Sequence, residues 1–124
     1  SVGELREQLL IENPGQVLVY LTDFIFSESI LEKLSLDIPR KAILICESQY
    51  LTEDLDLAKA NYHLTAMQAA KIARRIEAEK LILIHLSPRY GGDRLDQFLT
   101  EARELFPNTF LPDEWTREKS SDNY

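Results

Sequence analysis

The chain has 124 residues, 44% hydrophobic and 28% charged, enough for one domain with a modest core and unlike a disordered segment. Its 14 basic and 21 acidic side chains leave a net charge of -7, which repels polyphosphate at long range and argues against a broad basic nucleic-acid-binding face. A single cysteine, Cys46, allows no intrachain disulfide, no apolar run approaches a membrane span, and the N-terminus lacks a signal-peptide pattern, so the expectation is a cytoplasmic protein without membrane contact.

Residues 4–11 are expected to form a short helix or lead-in, followed by a turn at Pro14-Gly15. Val17-Leu18-Val19-Tyr20-Leu21 reads as a strand covered on both faces, because its apolar residues do not alternate with polar ones. It ends at Thr22-Asp23. Ser27 caps a predicted helix to about Leu36. Ala42-Ile43-Leu44-Ile45-Cys46 is a second buried strand, ending at Glu47, with Cys46 as a small buried hydrophobe. Residues 48–62 are less regular, with room for one short helix. Thr65-Ala66-Met67-Gln68 is a capping box that starts a helix to about Ala78, with Ala66, Ala69, Ala70, Ala73 and Ile76 as a small apolar stripe. Leu81-Ile82-Leu83-Ile84 is a third strand, ending at His85. A loop over 87–92 follows. Asp93 is placed to cap a last helix carrying Leu95, Phe98, Leu99, Ala102 and Phe106. Pro107-Asn108 stops it, 108–111 form a short strand, and 116–124 form a polar tail. Strand–helix alternation over 1–115 predicts one α/β domain or part of one, and neither G-x-x-x-x-G-K-[ST] nor G-x-G-x-x-G occurs.

Three apolar runs end on a residue with catalytic chemistry: Asp23, Glu47 and His85. His63 stands just before a helix cap. Side chains at the carboxyl ends of neighbouring strands gather around sites in open sheets. Asp23 reads as a metal ligand or as a cap of the next turn. His63 and His85 read as zinc ligands, proton carriers or satisfied structural histidines. Glu47 needs a partner if buried, and a Glu47–His63 pair would orient the ring for proton donation. Arg89 is either a clamp for an anionic substrate or a tie between its loop and a carboxylate. Trp115, Phe110 and the tyrosines have no RNA-recognition spacing and read as core or rim packing.

The stretch Asn61-Tyr62-His63-Leu64-Thr65-Ala66, continued by Gln68-Ala69-Ala70-Lys71-Ile72-Ala73, resembles the histidine motif of ribonuclease Z and its relatives in the metallo-β-lactamase superfamily. Leu81-Ile82-Leu83-Ile84-His85-Leu86-Ser87-Pro88-Arg89-Tyr90 resembles the last metal-ligand motif of that family. Glu101-Ala102-Arg103 and Phe106-Pro107-Asn108-Thr109 fit its final helix and strand. The resemblance implies part of an αββα sandwich, with a mixed sheet and flanking helices. It implies Asp23 as the carboxylate bridging two zinc ions, His85 as a ligand of one of them, and His63 with Glu47 as the pair that polarises the phosphodiester or donates a proton to the leaving group. The expected reaction is metal-assisted hydrolysis of RNA by the complete protein.

Two departures shape the expectation. Thr22-Asp23-Phe24 stands where the family commonly has Gly-Asp-Thr. The superfamily's H-x-H-x-D-H motif is absent, as is a further histidine before Asp23, so this chain alone is expected to be inactive and its zinc site incomplete. The missing N-terminal half is expected to come from a cleaved longer protein or from a complementary fragment. The alternative is a noncatalytic truncated α/β assembly domain that forms a homo-oligomer. A third possibility keeps the superfamily chemistry on a small ester or phosphodiester, and manganese or iron could replace zinc.

Overall fold

The computed structural model describes residues 6–13, 16–22 and 26–112, with backbone alone for 6–13, Gln16 and Asp93. β1 (Arg6–Asn13) pairs antiparallel with β2 (Gln16–Thr22). β3 (Ile43–Glu47), β4 (Lys80–Ile84) and the short β5 (Thr109–Phe110) continue the sheet in parallel, in the order β1-β2-β3-β4-β5. The sheet is therefore mixed, as expected. β1 corrects the expected helix over residues 4–11. An isolated segment of that length gains little from helix formation in water, whereas a ladder with β2 gives its backbone groups partners.

The helices follow from local chemistry. In α1 (Glu28–Asp37) the Ser27 hydroxyl accepts from the Ile30 N–H at 3.2 Å, and Leu31 and Leu34 are buried. α2 (Leu55–Ala60) is one short helix behind a 3₁₀ turn at Thr52–Asp54. α3 (Ala66–Arg75) begins with the complete capping box: Gln68 N–H to Thr65 Oγ1 at 3.1 Å, and Thr65 N–H to Gln68 Oε1 at 3.0 Å. It ends three residues before Ala78. Glu77 takes φ 57°, its N–H bonds the Arg74 carbonyl at 3.2 Å, and the Ala78 N–H bonds the Ala73 carbonyl at 3.0 Å. That is a Schellman closure with glutamate where glycine is usual. α4 (Leu95–Arg103) is entered through a 3₁₀ turn at Gly92–Arg94, so Arg94 and not Asp93 holds the capping position.

α3 lies on β3 and β4 and packs against both α1 and α4. Its small buried stripe of Ala66, Ala69, Ala70 and Ala73 permits that close approach. On this face Val19, Leu21, Leu44, Cys46, Leu81 and Leu83 are wholly buried. The alternate residues Ile43, Ile45, Ile82 and Ile84 are only half-buried. Both faces of the central strands are apolar, but among the described residues only one is covered by helices. Phe98 and Ala102 of α4 complete the core, and Leu95, Leu99 and Phe106 pack at its margin. Pro14-Gly15, Asp23, Trp115 and the tail at 116–124 lie outside the described residues. No described helix is long and apolar enough to cross a membrane.

Candidate active site

Leu21 of β2 pairs with Cys46 of β3, so Thr22 stands beside Glu47. The Thr22 hydroxyl donates to Glu47 Oε1 at 3.1 Å. The Glu47 side chain is wholly buried, and His63 Nδ1 lies 2.8 Å from its Oε2. A buried carboxylate without such donors would cost several kcal/mol of desolvation. The His63 side chain keeps 23% of its surface exposed, which leaves the ring on the border between carboxylate and solvent.

Two helix ends hold His63 in place. α2 closes as α3 does: Tyr62 takes φ 60°, its N–H bonds the Lys59 carbonyl at 3.4 Å, and the His63 N–H bonds the Ala58 carbonyl at 2.9 Å. Two residues later Thr65 starts α3. The intervening backbone is stitched to Tyr50, which donates to the Leu64 carbonyl at 3.3 Å and accepts from the Ala66 N–H at 2.9 Å.

His85 stands differently. It follows β4, is exposed, and takes φ 55°. Such a backbone is strained for a residue with a Cβ. Its Nε2 lies 3.4 Å from the Tyr20 hydroxyl, and the two rings meet edge to face. The loop after it is tied to the segment after Glu47. Ser87 N–H bonds the Gln49 carbonyl at 3.0 Å, and the Tyr90 hydroxyl accepts from the Leu51 N–H at 3.0 Å while donating to Asp54 Oδ2. Burial, with the Asp54 carboxylate beside it, pushes the Tyr90 hydroxyl up to about 12. The backbone at 49–51 thus touches both histidine-bearing segments. Glu101 of α4 braces the same spine, accepting from Thr52 N–H at 3.0 Å and Met67 N–H at 3.1 Å.

Glu47 and His63 are in direct contact, while His85 meets Tyr20 and the loop after it is tied to the 49–51 backbone. Arg89 lies 3.8 Å from Asp54 Oδ2 and is half-exposed, the geometry of a tie between loops. Asp23 lies outside the described residues. The contacts that Thr22, Tyr20, Tyr90 and Glu101 make around the site were not read from the sequence. Thr22 and Tyr20 are two residues apart on one strand face, but only the register with β3 tells which side chain meets Glu47.

Among the described residues no three His, Cys, Asp or Glu side chains gather in a way that would hold a metal ion. His85 alone is not a metal site, and no chemical step in this chain is assigned through a metal. Cys46 is no ready thiolate, because burial and then the Glu47 charge push its thiol up. Two surface hollows, of 620 and 430 Å³, lie against α3 and include none of Glu47, His63 and His85.

The fold is that of the metallo-β-lactamase proteins. The chain superposes on the metallo-β-lactamase fold protein YhfI from Bacillus subtilis with a TM-score of 0.63 at 22% identity, covering 79% of this chain and 37% of that one. It superposes on human tRNase Z, short form, with a TM-score of 0.56 at 22% identity, covering 84% and 34%. No family model matches the sequence. Curated relatives named ribonuclease Z do. The protein from Deinococcus radiodurans is 39% identical over 113 residues, 91% of this chain and 34% of its own length. That from Chlamydia trachomatis serovar D is 39% identical over 129 residues, 91% and 41%. That from Chlamydia muridarum is 53% identical over 73 residues, 59% and 23%. This chain is a ribonuclease Z-like part of the metallo-β-lactamase fold, spanning about two fifths or less of the length of these relatives.

Proposed function

We propose that residues 1–115 are the C-terminal half of a metal-dependent phosphodiesterase that cleaves RNA when complete, with 116–124 as a polar tail. The observation that carries the proposal is the 2.8 Å contact between His63 and the buried Glu47. With Nδ1 committed to the carboxylate, Nε2 is the nitrogen left to face a substrate. When water adds to phosphorus and the bond to the departing oxygen breaks, Nε2–H gives that oxygen its proton, and the ring is left neutral. Glu47 fixes the ring's tilt and holds its Nδ1 side away from the substrate. Arg89 steadies the loop that carries His85.

In the complete protein Asp23 and His85 are this chain's share of the ligands to two zinc ions. The remaining ligands and the activation of water belong outside the chain. The expected partners are the N-terminal half of the sandwich, as one polypeptide or as a complementary fragment, and an RNA substrate. The half-buried isoleucines of the sheet also favour a second reading, a noncatalytic assembly domain that covers this face by self-association.

Native mass spectrometry of the purified material, together with an assay on an RNA carrying a 3′ extension, separates the two. Cleavage by the complete protein, lost in His63→Ala with the fold retained, supports the enzyme. A metal-free oligomer of this chain with no missing partner, or unchanged cleavage by His63→Ala, sinks it.

A further inference from the structure

Tyr62 is 63% exposed and takes φ 60°. A bulky side chain in the left-handed region is an outlier, and glycine would close α2 there without strain. Glu77 closes α3 in the same way, so the backbone conformation alone does not mark a function. What separates Tyr62 is its large apolar ring standing in solvent, immediately before the histidine whose ring is held by Glu47. Lys59 and Asn61, both exposed, lie beside it at the end of the same helix. Asn61 is tied down by a 3.1 Å hydrogen bond from its Nδ2 to the Tyr50 hydroxyl, and the His63 N–H is anchored on α2. The ring is thus displayed from a fixed backbone, three residues after Lys59 and next to the proposed proton donor.

We infer that Tyr62 is a stacking platform for an unpaired base of the RNA next to the scissile phosphate, with Lys59 near the backbone phosphate of that nucleotide. Single-stranded nucleic acid is held in this way by aromatic faces with cations along the backbone, and stacking tolerates any base. The inference rests on the RNA-cleaving reading above. It adds a substrate-binding residue whose effect falls on affinity rather than on the proton transfer.

The test uses the complete protein with Tyr62→Asn, which suits the left-handed backbone but has no ring, and Tyr62→Trp, which restores one. Steady-state cleavage of a 3′-extended RNA is measured beside equilibrium binding of a fluorescein-labelled single-stranded RNA. Tyr62→Asn is expected to raise KM and weaken binding by about 5- to 100-fold with kcat nearly unchanged, and Tyr62→Trp to restore both. Unchanged KM and binding in Tyr62→Asn would overturn the inference. So would a fall in Tm of the complete protein, which would mean that the ring packs against another part of the protein. If the wild type cleaves no RNA but binds the labelled strand in a Tyr62-dependent way, the platform stands and the catalytic reading fails.

Discussion

His63 and His85 occupy the same end of the sheet in opposite physical conditions. His63 is held at both its ring and its backbone by groups of this chain: Glu47 on Nδ1, Ala58 on the N–H. His85 stands on a strained, exposed backbone with a 3.4 Å approach from Tyr20. The contrast separates a side chain held at ring and backbone by this chain from one that is not. On the reading proposed above, the geometry for proton donation lies within this chain, because one carboxylate and two helix ends suffice to hold the ring. A metal site needs more, because its ligands must converge from several segments.

The contrast can be broken most sharply at His63. In the complete protein His63→Ala should lower kcat about 10²- to 10⁴-fold, read in single-turnover cleavage of RNA, if it is the proton donor. The same substitution should destabilise the 124-residue chain by about 1–3 kcal/mol in urea unfolding, because a buried carboxylate loses a donor. Tyr90 gives an effect of about 2 kcal/mol in the alkaline range. Folding raises its hydroxyl from 10.0 to about 12 and so favours the protonated form. That contribution is present in full below pH 10 and is lost as pH rises through 12, so the stability of the wild type should fall over that range while that of Tyr90→Phe lacks this fall. Thr65→Ala, which removes one side of the capping box, should cost about 1 kcal/mol. Smallest is His85→Gly, which should raise the stability of this chain by about 1 kcal/mol or less by releasing the left-handed strain. A marked loss instead would show that Tyr20 and His85 hold the isolated chain together.

What the sequence revealed and what it hid divide by the range of the interaction. The capping box at Thr65 and Gln68 and the Ser27 cap were legible because donor and acceptor lie three residues apart. The strands at 43–47 and 80–84 were legible because runs of branched apolar residues favour extended backbone. β1 was hidden because its stabilisation lies in its pairing with β2. The two Schellman closures were hidden because Tyr62 and Glu77 stand where a glycine would have announced the stop, and α3 therefore ended earlier than its apolar period suggested. Thr22 and Tyr20 were hidden because a cross-strand neighbour follows from register, which periodicity does not encode. Of the candidate site residues, Glu47 and His63 meet, His85 stands apart, and Asp23 lies outside the described residues.

The strand order carries a consequence for how the molecule is assembled. Every strand pairs with its neighbour in sequence, β1 with β2 and so on to β5. Among the described residues no strand has to wedge between two that are already joined. Each strand can dock on the growing edge as soon as it is made, so the sheet can form in step with synthesis from N- to C-terminus.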